Sequence, residues 1–131
     1  MTGIEINNLK VHTDNRGWLV EVLRSEHTGD HIKGQFYVTV AKPGITKANH
    51  YHKRKTEWFC VIKGEGLLKL KNLSSGKEED VTMGEKNMVT VRIPPNIVHS
   101  IKNTGNDDMF LLAYISETFN ADDPDTYTYE L

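Results

Sequence analysis

Two histidines lie one residue apart at positions 50 and 52, and a glutamate follows at position 57. Side chains two positions apart on a β-strand point to the same side, so His50 and His52 are predicted neighbours. Glu57 opens the next apolar run, and a short turn through residues 53–56 would bring its carboxylate back beside the two imidazoles. The spacing therefore predicts one polar cluster on two adjacent strands.

A fourth candidate, His99, follows a turn formed by Pro94 and Pro95. Imidazoles and carboxylates are ligands that zinc and other divalent first-row metals prefer. We expect zinc, with nickel, manganese and iron as alternatives. The competing interpretation is four hydrogen-bonded polar side chains without a metal. The predicted metal ligands are His50, His52, Glu57 and His99.

The elements that must position this cluster are predicted to be strands. Short runs rich in β-branched and aromatic residues alternate with turns of Gly, Asn, Asp and Pro, at intervals of about 8–12 residues. We predict an all-β jelly-roll sandwich or barrel, with one domain over residues 1–131. The candidate strands are residues 4–12, 17–24, 34–42, 56–64, 66–73, 79–83, 87–94, 98–103, 109–116 and 126–131.

The charge balance argues against a nucleic-acid partner. The chain has 131 residues, with 16 Lys plus Arg against 18 Asp plus Glu, which gives a formal net charge of −2. Nucleic-acid binding favours a basic excess, and none is present. The densest positive run, Lys53 to Lys55, is interpreted as a solvated turn, with local attraction of an anion as the alternative.

The single cysteine and the apolar pattern bear on the compartment. Cys60 cannot form an internal disulfide and lies in the apolar run WFCVI, so we expect a buried, inert thiol. The amino terminus lacks the apolar core of a signal peptide, and no window approaches the roughly 18 apolar residues of a membrane helix. We therefore expect a soluble, cytoplasmic protein without a membrane partner.

The full spacing around the histidine pair carries a resemblance. Gly44, His50, His52, Glu57 and Gly64 match the first sequence motif of the cupin superfamily without a mismatch. The two glycines would mark turns, where positive φ angles are common. The resemblance implies a cupin β-barrel whose metal ligands include the two histidines and the glutamate.

The second cupin motif is matched with two departures. Pro94, His99 and Asn103 are in place. Met88 stands where the motif has a glycine, and Asn96 replaces the turn glycine, an exchange that left-handed backbone geometry allows. All four ligand positions of the cupin pattern are therefore filled.

Other segments resemble particular cupin enzymes. DNRGWLVEV, residues 14–22, is similar to a segment of dTDP-4-dehydrorhamnose 3,5-epimerases and related ketoisomerases. Residues 34–52 and 119–131 resemble the carboxy-terminal cupin domain of CapF-type capsular polysaccharide enzymes, a resemblance that covers nearly the whole chain. It implies a zinc-dependent epimerase acting at C3 of a UDP-linked 4-keto-6-deoxy-N-acetylhexosamine. In that family a reductase domain precedes the cupin, so we expect a separate short-chain reductase as a partner.

The implied reaction needs a base and a group that stabilises negative charge. A metal provides the second function as a Lewis acid toward an enolate oxygen. In the metal-free rhamnose-pathway epimerases the histidine matching His50 is the base, but a metal-bound imidazole has no free lone pair, so His50 is a ligand or a base and not both. Tyr37, Lys47 and Tyr114 are the other catalytic candidates. The acid tyrosine of those enzymes falls near Phe119, which favours a single inversion at C3.

The same resemblance assigns substrate-binding residues. Arg16 and Glu21 would contact the nucleotide or diphosphate, and Gln35 and Thr39 share one strand face by alternation. Without the resemblance, Arg16 and Lys47 are equally well interpreted as solvated surface residues. We expect a UDP- or dTDP-linked keto-sugar as substrate, and a homodimer in which the amino-terminal strand crosses to the partner.

Three other functions compete with a 3-epimerase. Sugar 3,4-ketoisomerases share the cupin core and move the carbonyl instead of inverting a centre. Metal-dependent oxygenases use the same set of three histidines and one glutamate with iron or manganese. A non-catalytic, sugar-sensing cupin would use its metal only to tie strands together.

Overall fold

The structure is a computed structural model that describes residues 3–15, 17–28 and 33–131. Within these ranges the chain forms strands and one short helix, α1 (Ser25–Thr28). The strands are β1 (Glu5–Asn8), β2 (Val11–Asp14), β3 (Gly17–Val20), β4 (Gln35–Ala41), β5 (Thr46–Tyr51), β6 (Glu57–Lys63), β7 (Glu65–Asn72), β8 (Glu78–Gly84), β9 (Val89–Ile93), β10 (Ile97–Asn103), β11 (Met109–Ile115) and β12 (Tyr127–Thr128).

The predicted strands are present in the structure, but those near the two ends of the chain begin or end at other residues than predicted. The candidate strand over residues 4–12 is divided into β1 and β2. The candidate over residues 17–24 ends at Val20, and α1 follows, a one-turn helix that the pattern did not predict. The carboxy-terminal candidate shortens to the two residues of β12. Terminal segments make fewer sheet contacts, so local propensity is a weaker guide there.

Two five-stranded antiparallel sheets pack face to face. Sheet I has the strand order β1-β9-β6-β11-β4, and sheet II has the order β12-β5-β10-β7-β8. Both sheets contribute to one core, with Phe59, Val91 and Leu111 from sheet I against Leu68 and Ile101 from sheet II. The predicted all-β jelly roll is confirmed. Its site-bearing strands, β5 and β6, belong to opposite sheets, and a turn connects them.

Strand β4 shows the predicted alternation. Gln35, Tyr37 and Thr39 are half-buried, whereas Phe36 and Val38 on the other face are more than half exposed, at 62% and 58%. Strand β4 is an edge strand of sheet I, so its inward-facing residues lie at the edge of the space between the two sheets. Gln35 and Thr39, which sequence alternation groups, therefore share the inner face with Tyr37.

The motif residues that are not ligands stabilise turns. Gly44 and Gly64 have φ angles of 79° and 84°. Asn96, which replaces the turn glycine of the motif, has a φ angle of 65°, in the left-handed region that asparagine tolerates. The Asn103 amide is buried and donates to the carbonyls of Ala41 and Asp107, both at 2.8 Å. These positions therefore hold the loops around the barrel and take no part in the polar cluster.

Cys60 is fully buried beside Met88, and burial raises the pKa of its thiol to about 11. The prediction of an inert thiol agrees with this placement, because the thiolate is the reactive form. In the described part of the chain, no helix has the length and apolar character needed to cross a membrane.

The two motif glycines give a stability prediction. A Cβ at Gly64 would lie 2.9 Å from the backbone oxygen of Asp108, whereas a Cβ at Gly44 would meet nothing within 4 Å. Gly44→Ala should cost about 1–2 kcal/mol for its positive φ, and Gly64→Ala should cost more because Asp108 must shift. Urea unfolding measures both, and equal costs would contradict the packing argument.

Candidate metal centre

The four predicted ligands lie together where the two sheets meet. Glu57 is the first residue of β6 in sheet I, while His99 lies on β10 and pairs across the ladder with His50 on β5 in sheet II. His52 follows the end of β5 directly. The imidazoles of His50 and His52 have ring centroids 5.0 Å apart, as their spacing on one strand face predicts.

A β-bulge sets the direction of His50. The ladder between β5 and β10 pairs His50 with His99 and Ala48 with Ser100, so Asn49 is the extra residue. Ala48 and Asn49 have φ angles of 73° and 57°. Positive φ is uncommon outside glycine, and bulges redirect side chains near functional sites. The local backbone of β5 is therefore irregular immediately before its ligand.

Three imidazole nitrogens surround one carboxylate oxygen. The Oε1 atom of Glu57 lies 2.6 Å from Nε2 of His52, 3.3 Å from Nε2 of His99 and 3.9 Å from Nε2 of His50. One potential ligand atom from each of these residues lies within 4.8 Å of all the others. The side chains thus converge on one small volume between the sheets.

Backbone hydrogen bonds fix two of the rings. Nδ1 of His52 lies 2.8 Å from the carbonyl oxygen of Asp125, and Nδ1 of His99 lies 3.0 Å from that of Ile97. A carbonyl only accepts, so each Nδ1 must carry the proton and donate. Nε2 of each ring then faces Glu57, with Nε2 of His52 in a hydrogen bond to Oε1 at 2.6 Å, an orientation typical of histidines that ligate a metal through Nε2.

The unpaired atoms fit a cation. Nε2 of His50 and Nε2 of His99 are buried and have no hydrogen-bond partner among the described residues. Buried polar atoms are normally satisfied, and a divalent cation between these two nitrogens and the carboxylate would satisfy them. The donor set of three imidazoles and one carboxylate suits zinc or another divalent first-row ion.

The charges of the cluster follow from its burial and its neighbours. Burial by itself raises the pKa of Glu57, but contacts with the three imidazoles outweigh it and hold that pKa well below its usual range. Burial lowers the pKa of His50. For His52, burial opposes the charged form, yet the Glu57 carboxylate and the Asp125 carbonyl raise the pKa. The site therefore holds a carboxylate and a neutral His50.

Tyr37 orients the carboxylate. Its hydroxyl donates to Oε2 of Glu57 at 2.6 Å, which leaves Oε1 for the imidazoles. Burial and the charge of Glu57 both raise the pKa of Tyr37, so its hydroxyl stays protonated. The sequence proposed Tyr37 as a base, and this geometry gives it the role of a donor.

The cluster opens toward His50. The His50 side chain is 24% exposed, whereas His52, Glu57 and His99 are 5%, 1% and 0% exposed. Of the other residues predicted for the pocket, Lys47 donates from Nζ to Oγ1 of Thr39 at 2.9 Å. The Oε1 atom of Gln35 accepts the backbone N–H of Phe119 at 3.0 Å. Lys47 and Thr39 thus form a hydrogen-bonded pair between β5 and β4.

Tyr114 is a correction to the predicted set. Its ring packs against Trp58 and Phe36, and its hydroxyl donates to the backbone oxygen of Lys33. Trp58 and Phe36 alternate with Glu57 and Tyr37, so Tyr114 lies on the outer face of sheet I, away from the cluster. In the run MFLLAYI every residue except Tyr114 is apolar, so the sequence shows no alternation of polar and apolar residues from which the face of Tyr114 could be assigned.

Glu21, one of the two predicted nucleotide contacts, is not brought to the cluster within one chain. Glu21 is exposed and pairs with Arg24 at 2.9 Å. Both line a surface cavity of about 250 Å³ together with Asn7, Lys10 and His27, and no cluster residue lines it. Arg16 lies outside the described residues, so its predicted role stays a prediction.

Sequence reasoning missed Asp125. Its side chain is buried and accepts the backbone N–H groups of Lys53, Arg54 and Lys55, while its carbonyl holds His52. The only signal was the PDTY element of residues 124–127, which carried a resemblance but had no assigned role. The basic run is also only partly solvated, because Lys55 is buried and donates to the carbonyl of Pro124.

The family of the chain follows from its match to known sequences. A family model described as the polysaccharide biosynthesis C-terminal domain matches residues 12–127. The chain belongs to this family.

Two curated relatives indicate the range of the family. The chain is 39% identical over 121 residues to a UDP-2-acetamido-2,6-beta-L-arabino-hexul-4-ose reductase of Pseudomonas aeruginosa, covering 92% of this chain and 31% of that protein. It is 29% identical over 129 residues to the probable low-salt glycan biosynthesis epimerase Agl13 of Haloferax volcanii, covering 93% of this chain and 83% of that protein. The chain thus spans about a third of the first relative.

Solved structures with the same fold confirm the cupin resemblance. The capsular polysaccharide assembling protein CapF from Staphylococcus aureus matches with a TM-score of 0.73 and 32% identity, over 94% of this chain and 34% of that chain. The dTDP-4-dehydrorhamnose 3,5-epimerase from Sulfolobus tokodaii matches with a TM-score of 0.80 and 24% identity, over 96% and 76%. At that identity the second likeness shows the fold alone.

Metal binding gives a direct test of the cluster. Zn²⁺ added to chelator-treated protein should raise its melting temperature, because an ion that binds only the folded chain at 100 times its Kd adds about 2.7 kcal/mol. Glu57→Gln should remove most of this shift. Glu85→Gln, an exposed glutamate at another turn, is the matched control and should keep it. An unchanged melting temperature of the unaltered protein in excess zinc would contradict the site.

Proposed function

We propose that this protein is a metal-dependent nucleotide-sugar epimerase that inverts C3 of a UDP-linked 4-keto-6-deoxy-N-acetylhexosamine in surface polysaccharide synthesis. The observation that carries the proposal is the convergence of three imidazole nitrogens on the buried Glu57 carboxylate. The family and a relative named as a glycan biosynthesis epimerase support the reaction class. The reductase relative acts, by its name, on a UDP-linked hexulose, which supports the substrate class.

The chemistry requires an acidic C–H next to a ketone. Removing the C3 proton yields an enolate, and returning a proton to the other face inverts the centre. A divalent metal held by His50, His52, Glu57 and His99 would stabilise the negative charge on the C4 oxygen as a Lewis acid. The His50 side chain, which is 24% exposed, lies on the side from which the sugar would approach.

The residues that hold the metal cannot also move the proton. If His50 ligates the ion, its Nε2 lone pair is occupied. Tyr37 is committed as a donor to Glu57, and Tyr114 lies on the outer face of the sheet. Lys47 remains, and we assign it to the reacting part of the sugar, where its Nζ atom is held by Thr39. Gln35 and Thr39 on the same inner strand face would contact the sugar.

Binding of the nucleotide is proposed to involve a second copy of the chain. Glu21 lies at a surface cavity that no ligand of the cluster lines, so it would reach a site only across a subunit boundary. A homodimer with crossed amino-terminal segments would place Glu21 and Arg16 beside the partner's site. Sedimentation equilibrium tests the dimer directly. The short-chain reductase is proposed as a separate partner that consumes the inverted ketone.

Isotope exchange tests the reaction. The protein, a UDP-4-keto-6-deoxy-N-acetylhexosamine and Zn²⁺ in deuterated water should give deuterium at C3, inverted product and no movement of the carbonyl, as followed by NMR. Chelator should stop the exchange. A carbonyl that moves to C3 would instead establish a 3,4-ketoisomerase. Metal binding without exchange at any carbon would establish a non-catalytic cupin and overturn the proposal.

Lys47 is tested with two substitutions. Lys47→Met should lower the rate of C3 exchange by about 10²–10⁴-fold, the range for loss of a proton-transfer group, while the zinc-dependent rise in melting temperature persists. Lys47→Arg keeps the positive charge and loses the amine. Recovery by arginine indicates charge stabilisation, and no recovery indicates proton transfer. Full exchange activity in Lys47→Met would contradict the assignment.

A further inference from the structure

The segment that follows residue 123 forms hydrogen bonds with strand β5 and with the turn between His52 and Glu57. Asp125 precedes β12, is 2% exposed and adopts a left-handed φ of 49°. Its nearest positive group, Nη1 of Arg54, lies 4.0 Å from Oδ1, at the limit of an ion pair. A buried carboxylate needs other donors in place of a close ion pair, and the backbone supplies them.

The Asp125 carboxylate organises the turn between two ligands. Oδ1 accepts the backbone N–H of Lys53 at 3.1 Å, and Oδ2 accepts those of Arg54 and Lys55 at 2.9 and 3.1 Å. These three residues form most of the connection from His52 to Glu57. Three donors on one carboxylate fix the conformation of a turn that its sequence alone leaves open.

The main chain of the same residue holds the ligand itself. The carbonyl oxygen of Asp125 accepts the Nδ1–H of His52 at 2.8 Å, which directs Nε2 toward Glu57. The side chain anchors the residue, and the carbonyl orients the ring. Loss of the anchor would therefore free both the ring of His52 and the turn that places Glu57.

Two neighbouring contacts hold the same segment against the turn and against β5. Nζ of Lys55 donates to the carbonyl of Pro124 at 3.0 Å. Farther along, the N–H of Tyr129 donates to the carbonyl of Asn49 at 2.9 Å, at the bulge before His50. The pairing of β12 with β5 joins the two contacts. Residues 124–129 thus run along the outer edge of the histidine strand.

We propose that Asp125 is a positioning residue for the metal centre, which it controls through the tautomer and direction of His52 and through the turn to Glu57. This inference rests on the proposed function, because it assumes that the cluster binds a metal. Asp125 itself donates no atom to the ion. Loss of such an outer contact typically lowers metal affinity by about 10–100-fold.

The test compares zinc affinities by competition with a chromophoric chelator. Asp125→Ala should weaken zinc binding by about 10–100-fold. Asp125→Asn keeps one acceptor oxygen and tolerates the left-handed φ, so it should recover part of the loss. Asp123→Asn is the matched control. It makes the same charge change two residues earlier, on an exposed carboxylate that pairs with the Arg54 side chain, and should keep full affinity.

A second readout separates positioning from general destabilisation. In zinc-free protein, the ¹⁵N shifts of the His52 ring should report a protonated, hydrogen-bonded Nδ1 in the unaltered chain and in Asp123→Asn. They should report an Nδ1 that has lost its proton in part of the molecules of Asp125→Asn. This measurement stands even if Asp125→Ala fails to fold.

The outcomes distinguish the two proposals. If the unaltered protein binds no zinc, the proposed metal-dependent function fails. If the unaltered protein binds zinc, and Asp125→Asn keeps both its affinity and the protonated His52 Nδ1, the role of Asp125 is overturned. If Asp123→Asn weakens zinc binding as much as Asp125→Asn, the effect is one of loop charge and the positioning role is likewise overturned.

Discussion

The convergence of three imidazole nitrogens on one oxygen of the buried Glu57 carboxylate is the constraint on which the arrangement of the cluster depends. Two of the three histidines donate their Nδ1 protons to backbone carbonyls and therefore direct their Nε2 atoms at the carboxylate. The buried Nε2 atoms of His50 and His99 have no hydrogen-bond partner among the described residues, which is unfavourable away from water. The strands, bulge and loops of the fold hold this donor set together, and its composition suits a divalent cation.

The jelly roll brings these groups together by closing two sheets over one core. The carboxylate belongs to sheet I and the imidazoles to sheet II, so the distance between them depends on how the sheets pack. Phe59, two residues after Glu57 on the same face, contacts the ring of His99 edge-on with centroids 5.5 Å apart. Hydrophobic packing therefore continues directly into the polar site, and the core sets the separation of the ligands.

The two faces of sheet I carry different kinds of contact. On the inner face, Tyr37 holds Glu57, and Thr39 holds Lys47. On the outer face, Trp58 and Tyr114 pack as an aromatic layer. The same residue type therefore has opposite roles at positions 37 and 114. Alternation places Tyr37 on the inner face of β4 because the residues of the other face are exposed, whereas the uniformly apolar run around Tyr114 carries no alternation.

The sequence by itself indicated which four side chains cluster, the all-β fold and the turns at Gly44 and Gly64, because motif spacing and tolerance of positive φ are local properties. Only the tertiary structure decided that Asp125, 73 positions beyond His52, holds that ring. It also decided the side of Tyr114 and the opening at His50. These depend on which strands become neighbours when two sheets close, and contacts between distant segments leave no periodic mark in the sequence.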